Sequence, residues 1–153
     1  MHIVRFHKRV WASLVIGVSC VLAGCESFSG ATISVGVPSP VDPACVDRAR
    51  QDVGPVDRFA RIQDQPGAVE FAVRRGTQNV YVMVAEGPPP SIHMESSWKG
   101  KASDEMEIIA LRLLEDVYYA VVSSCDIREP PATISTHCST RHCDGWTARY
   151  NRQ

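Results

Sequence analysis

Several sequence features that would indicate a familiar activity are absent from this chain of 153 residues. There is no stretch of clustered Lys and Arg interleaved with aromatic residues, which argues against a nucleic-acid-binding surface. Neither a G-x-S-x-G motif nor a phosphate-binding glycine loop occurs. The absence of a C-x-x-C pair excludes a thioredoxin-like redox site and covalent haem attachment. We therefore expect no enzyme activity, no catalytic residues, no cofactor and no nucleic-acid partner.

The chain also has no apolar run of the roughly 20 residues that a membrane-spanning helix needs. The apolar run from Val10 to Ala23 has 14 residues and follows a short segment that carries Arg5, Lys8 and Arg9 and no acidic residue. A basic start, a short apolar run and a small-residue exit are typical of a cleaved signal peptide. Removing these three positive charges takes the net charge from −1 to −4, so the remainder is weakly acidic.

The apolar run ends in Leu22-Ala23-Gly24-Cys25, which resembles the lipobox of bacterial lipoproteins at every position. The resemblance implies removal of residues 1–24, a diacylglyceryl thioether on Cys25 and acylation of its new amino group. Because each buried methylene contributes about 0.8 kcal/mol, two or three acyl chains hold a protein firmly at a membrane. The residue after Cys25 is Glu26 and not an Asp. By the sorting rule of enteric bacteria, this implies the periplasmic face of the outer membrane rather than the inner membrane. A transmembrane anchor and an unlipidated secretory signal are the alternatives.

Four cysteines remain for the folded part once the leader is removed and Cys25 is lipidated. An even number of cysteines in a small exported domain is typical of a disulfide framework. Of the three possible connectivities we favour Cys45 with Cys125, which would fasten the amino-terminal segment to a long helix, and Cys138 with Cys143, which would close a short loop. Pairings of Cys45 or Cys125 with the carboxy-terminal cysteines stay open.

The same carboxy-terminal stretch contains two His-Cys pairs, and such side chains can bind zinc or copper. Its residues are His137, Cys138, His142 and Cys143. Adjacent residues project in different directions, and the usual C-x2-C and H-x3-H spacings are absent. We therefore predict no metal site. The alternative is a periplasmic enzyme or metal-binding protein that uses these four residues.

Residues 25–40 contain several Gly, Pro and hydroxyl residues, which is typical of a flexible spacer between the lipid and the folded part. Ile33, Val35 and Val37 alternate within this segment, as in a short edge strand, but the composition favours the spacer. Residues 41–153 are then expected to form a single domain.

Within this domain, Asp42-Pro43 predicts the start of a short helix that runs to about Asp52. Alternating apolar residues predict two strands of a hairpin over residues 68–74 and 79–85, and Ile92, Met94 and Trp98 suggest a third strand. We expect these three strands to form an antiparallel meander. Residues 56–65 are interpreted as an irregular segment that docks Phe59 and Ile62 on the core.

A long helix is predicted from Ser103 to about Ser124, because apolar residues recur at helical spacing. The acidic residues of its first turn, Asp104, Glu105 and Glu107, are interpreted as favourable interactions with the helix dipole rather than a paired-carboxylate site. Residues 132–138 and 146–150 predict a carboxy-terminal β-hairpin.

Together these elements predict a disulfide-stapled α+β domain, with the long helix packed on one face of the three-stranded meander. The lipobox, the spacer and the missing catalytic motifs favour a non-enzymatic, lipid-anchored cell-envelope lipoprotein. Its role would be binding or assembly at the membrane surface, with the membrane and an envelope protein as partners.

Overall fold

Six antiparallel strands and three helices make up the residues that the computed structural model describes, which are 28–99, 102–128, 133–140 and 142–150. The strands are β1 (Phe28–Gly36), β2 (Arg58–Gln65), β3 (Ala68–Arg75), β4 (Gln78–Ala85), β5 (Ser91–Lys99) and β6 (Thr133–Cys138). The helices are α1 (Ala44–Ala49), α2 (Asp104–Ser124) and α3 (Cys143–Tyr150). None of these helices is both long and apolar enough to cross a membrane. The lipobox and Cys25 lie outside the described residues.

The α+β class is retained, but the prediction of a three-stranded meander with a carboxy-terminal hairpin is wrong. β3, β4 and β5 correspond to the predicted meander. β2 extends this meander at one edge, and β1 and β6 extend it at the other, so that the strand order is β2-β3-β4-β5-β1-β6. Strands from both ends of the chain therefore complete the sheet.

β1 occupies residues whose composition predicts a flexible spacer. It pairs along its whole length with β5 and over six residues with β6, so it is an interior strand. Ile33 and Val35 are fully buried, while the alternate positions Thr32 and Ser34 are half-buried on the other face. Gly30 is required by close packing, because a Cβ there would lie 2.5 Å from the carbonyl oxygen of Ser96. The small and hydroxyl residues that suggested a spacer thus suit this strand.

β2 is an edge strand rather than the irregular segment that we expected. Phe59 is buried against Phe71, with ring centroids 6.4 Å apart, whereas Ile62 is 42% exposed. The register with β3 shifts between Arg61 and Gln63, as at a β-bulge. Five consecutive exposed residues at the end of β2 explain why no alternation appears in its sequence.

α2 lies where the sequence predicts it, and its amino terminus is capped as expected. The Ser103 side chain accepts a hydrogen bond from the Met106 amide at 3.3 Å. Its buried positions recur at helical spacing and pack on one face of the sheet. α1 lies inside the predicted range, and Asp42 accepts from the Ala44 amide at 2.9 Å.

α3 stands where the second strand of the carboxy-terminal hairpin was expected, whereas β6 matches the first. Trp146 and Tyr150 are four residues apart and therefore share one face of the helix. They are 2% and 4% exposed, and the Tyr150 ring packs edge-to-face on Tyr118 of α2 at 5.4 Å. The Trp146 ring packs in turn on Tyr150, with ring centroids 5.2 Å apart. Burial of these two large aromatic side chains on one side favours a helix over an extended segment.

The expectation of disulfide bonds is confirmed, and the structure has two. One joins Cys45 of α1 to Cys125 at the end of α2, with Cα atoms 4.9 Å apart. The other joins Cys138, the last residue of β6, to Cys143, the first of α3, with Cα atoms 5.5 Å apart. Each bridge therefore fixes one of the two short helices.

The described helices pack on one face of the sheet, and the opposite face, termed the open face, is left uncovered. Side chains alternate between the two faces along each strand. The open face carries polar groups at its centre and two exposed apolar side chains, Tyr81 and Met83, each 38% exposed. Its residues include Thr32, Ser34, Glu70, Ala72, Tyr81, Met83, His93, Glu95, Ser135 and His137.

Candidate functional site

The four residues considered as soft metal ligands are not brought together. Cys138 and Cys143 are joined in a disulfide, so neither offers a thiolate. His137 lies opposite Thr32 in the sheet and is exposed on the open face, whereas Cys138 lies opposite Ala31 and points to the core side. The remaining member, His142, is separated from His137 by the sheet.

His142 is held by the loop that the second disulfide closes. Ser139 fixes one side of this loop to β1, because its amide donates to the Gly30 carbonyl at 2.9 Å and its hydroxyl accepts from the Gly30 amide at 3.0 Å. The hydroxyl of Thr140 accepts from the His142 amide at 3.2 Å. Since Cys143 begins α3, the histidine is positioned immediately before a helix and beside a covalent bridge.

The fold places His142 next to the first turn of α2. Its Nε2 atom lies 3.7 Å from Oδ1 of Asp104 and 3.8 Å from Oε2 of Glu107. One ligand atom from each of these residues lies within 4.8 Å of the others. We term this group the Asp104–Glu107–His142 cluster. It combines two carboxylates and an imidazole, the donor types that bind divalent transition-metal ions.

Glu107 is the unusual member of the cluster, because it is a carboxylate that is only 5% exposed. Its Oε2 atom and Nε2 of His142 are both buried, and neither has a hydrogen-bond partner. Interactions with the helix dipole do not account for a buried carboxylate oxygen, which loses its hydration without gaining a donor. The interpretation of the acidic first turn as an interaction with the helix dipole therefore does not explain why Glu107 is buried.

The sequence of α2 marks Glu107 as a member of this cluster, but it does not identify His142 as the partner. Glu107 precedes Ala110, Leu111 and Leu114 at helical spacing, so it falls on the stripe that is buried. An acidic residue on an apolar stripe indicates a partnered or functional group. The partner lies 35 positions further along the chain, where only the sheet register and the disulfide bring it close.

A second polar group lies on the open face. Ser34 Oγ and His93 Nδ1 are 2.7 Å apart, and His93 Nε2 is 3.9 Å from Oε2 of Glu95. The order serine, histidine, carboxylate resembles the arrangement that activates a nucleophile, but the second separation exceeds hydrogen-bonding distance. Ser34 also lies on an interior strand whose amides pair with neighbouring strands, so the described backbone offers no free oxyanion donors there.

A third polar group ties α3 to α2. Arg149 donates to both carboxylate oxygens of Glu115, at 2.8 and 3.1 Å, and the Tyr150 hydroxyl donates to the same carboxylate at 3.3 Å. Burial raises the pKa of Tyr150 above its usual value, and the negative charge of Glu115 raises it further. The Tyr150 hydroxyl therefore stays protonated and keeps donating even in alkaline solution, and the three side chains hold α3 against α2.

An open cleft of about 600 Å³ lies between Gly54-Pro55 and α2. Arg75 is its main cation, but its donors are already used. It pairs with Asp116 at 2.7 Å and donates to the carbonyl oxygens of Val53 and Pro55 at 2.8 and 3.0 Å. The cleft therefore has no unused charge on Arg75 with which to fix an anionic ligand.

Comparison with known proteins identifies no family. No protein-family model matches the chain, and no curated protein matches it. Among solved structures, it is similar to the open form of the exocytosis-sensitive phosphoprotein pp63/parafusin, a phosphoglucomutase from Paramecium, with 8% sequence identity and a TM-score of 0.36. The match covers 71% of this chain but only 23% of that one. So remote a likeness carries no argument about function.

Proposed function

We propose that this chain is a lipid-anchored protein of the bacterial cell envelope that works by binding at the membrane surface, without enzyme activity. The observation that carries the proposal is the lipobox Leu22-Ala23-Gly24-Cys25 behind a basic and then apolar leader. The short length of the apolar run favours cleavage over a permanent span. Glu26 favours the periplasmic face of the outer membrane.

The disulfide bonds support export to an oxidising compartment. Disulfides persist in secreted and periplasmic proteins and are rare in the cytosol, where thiols are kept reduced. The four cysteines of the described domain are all paired, which leaves Cys25 as the cysteine available to a lipid once Cys20 leaves with the leader. The pairing therefore agrees with the role that the lipobox gives to Cys25.

The position of β1 sets how closely a lipid anchor would hold the domain. Only Glu26 and Ser27 separate Cys25 from Phe28, the first residue of β1. Three extended residues reach about 10 Å at most. An anchored domain would therefore have the end of the sheet where β1 begins directly at the membrane surface, without the spacer that the sequence analysis expects.

The open face supports binding of an envelope protein. It is the face of the sheet that the described helices do not cover, and it exposes Tyr81 and Met83 beside the polar residues His93 and Glu95. Aromatic and Met side chains surrounded by polar groups are enriched at protein interfaces. With β1 at the membrane, this face would run upward from the lipid surface and stay accessible to a partner.

Replacing Cys25 with Ser tests the anchor, with Cys20→Ser as the matched control. Cys20 lies in the leader, five residues before Cys25, and only Cys25 occupies the lipid-acceptor position. In membrane fractionation, we expect the unmodified chain and Cys20→Ser to sediment with membranes and to be released by detergent. Cys25→Ser should accumulate as an unprocessed precursor or leave the membrane fraction, since it can form no thioether. Processing and membrane retention equal to those of Cys20→Ser would overturn the proposal.

A further inference from the structure

We propose that the Asp104–Glu107–His142 cluster binds a divalent cation of the zinc class. The site is distinct from the His-Cys stretch weighed in the sequence, because it uses neither thiol and takes only His142 from it. The proposal does not depend on the lipid anchor. It rests on two buried polar atoms without partners, on the donor types and on the way in which the fold fixes them.

The first argument is the state of the two buried atoms. Oε2 of Glu107 and Nε2 of His142 face each other at 3.8 Å, and neither makes a hydrogen bond. This separation is too long for a direct hydrogen bond, which needs about 3 Å. Leaving a carboxylate oxygen buried and unsatisfied is costly. A cation between the two atoms would satisfy both at once.

The second argument is the chemistry of the donors. Zinc is bound by imidazole nitrogen at about 2.0–2.1 Å and by carboxylate oxygen at about 2.0–2.2 Å, whereas calcium and magnesium prefer oxygen ligands alone. Ligand atoms at these distances in a tetrahedron are about 3.4 Å apart. The observed separations of 3.7 and 3.8 Å from His142 exceed this by only a few tenths of an ångström. The Asp104 and Glu107 oxygens are within 4.8 Å of each other, so the exposed Asp104 side chain would move toward Glu107 on binding. A water molecule would complete the four ligands.

The third argument is the rigidity of the ligand set. Asp104 and Glu107 are three residues apart on α2, so their side chains share one face of a capped helix. His142 is fixed from the other side by the Cys138–Cys143 disulfide and by the Thr140 hydroxyl. Glu107 and His142 therefore lose little conformational freedom on binding, whereas the exposed Asp104 side chain would still have to be ordered. Because no thiol is needed, the site is compatible with an oxidising compartment.

Titration of the full chain with Zn²⁺ by isothermal calorimetry tests the site, using protein purified in detergent without a histidine tag. We expect one zinc ion per chain and a higher melting temperature with zinc than with EDTA, since a ligand that binds only the folded state stabilises it. His142→Asn and Glu107→Gln should each weaken zinc binding by about tenfold or more, because loss of even an outer partner of a ligand costs that much. Mg²⁺ and Ca²⁺ should neither bind comparably nor displace zinc.

His137→Asn is the matched control, because His137 lies in the same stretch but on the open face. The zinc affinity of this variant should equal that of the unmodified chain. The far-ultraviolet circular dichroism spectrum of each variant in EDTA should match that of the unmodified chain, which separates loss of ligands from loss of folding. If His142 instead forms an ion pair with the carboxylates, zinc would leave the melting temperature of the unmodified chain unchanged. That result, or zinc binding that survives both His142→Asn and Glu107→Gln, would overturn the proposal.

Discussion

Replacing Cys45 and Cys125 together with Ala should lower the free energy of unfolding by about 4 kcal/mol. The bridge spans 80 residues, and opening a loop of that length restores a large conformational entropy to the unfolded chain. Domains of this size are stable by only about 5–15 kcal/mol, so the variant should unfold at a much lower temperature or urea concentration. Near-ultraviolet circular dichroism of the full chain in detergent, followed during urea unfolding, measures the change.

The second disulfide provides the comparison for this prediction. Cys138 and Cys143 are five residues apart, and the same loop-closure relation gives about 2 kcal/mol for their replacement with Ala. The long bridge should therefore matter roughly twice as much as the short one. If replacing Cys45 and Cys125 lowers the stability no more than replacing Cys138 and Cys143, the long bridge does not constrain the unfolded chain and the prediction is contradicted.

Replacing Ile33 with Ala should lower the free energy of unfolding by roughly 2–5 kcal/mol, the usual range for truncating a buried large aliphatic side chain. Ile33 is fully buried on β1, with Met94 of β5 on one side and Thr136 of β6 on the other. The truncation would leave a cavity at the centre of the sheet. If residues 28–36 were a flexible spacer, the same substitution would leave stability unchanged. Urea unfolding again provides the measurement.

Thr32→Ala is the matched control for Ile33→Ala. Thr32 is the preceding residue of β1 but lies on the open face, where it is only half-buried. We expect its replacement to change stability by less than about 1 kcal/mol, since strand preferences differ by no more than that. Similar small effects at both positions would contradict an interior role for β1, whereas a large difference would support the alternation of its two faces.

The central elements of the fold are predictable because their sequences satisfy local and tertiary requirements together. α2 combines the Ser103 cap with apolar residues at helical spacing, and both features are seen in the structure. β3 and β4 alternate clearly and are joined by a turn at Gly76, which has a positive φ. In such segments the pattern that drives burial also specifies the local conformation.

The outer strands are harder to predict because their environment comes from distant parts of the chain. β1 was interpreted from its Gly and hydroxyl content, although the alternation of Ile33 and Val35 was the correct signal. An interior strand with one uncovered face needs apolar residues at only every second position. β2 shows even less pattern, because Phe59 is its one buried side chain.

The prediction of a carboxy-terminal hairpin is wrong because a short aromatic segment suits either a strand or a helix. Trp146 and Tyr150 are spaced for one helix face, and the outcome is decided by the burial of both rings, with Tyr150 packed between Tyr118 and Trp146. The Asp104–Glu107–His142 cluster is also hard to predict, because it depends on tertiary contacts. Its two carboxylates are visible as neighbours on one helix, but the position of His142 depends on β1, β6 and a disulfide.

Mass spectrometry of the amino-terminal peptide, from protein purified out of membranes, tests the lipid anchor most directly. We expect the mature chain to begin at Cys25 and to carry the mass of a diacylglyceryl group on its sulfur, together with an acyl group on its amine. Treatment that hydrolyses esters should then remove the two ester-linked acyl chains and leave the thioether. A chain that begins at another residue, or a Cys25 that carries no lipid, would contradict the proposed lipid-anchored protein.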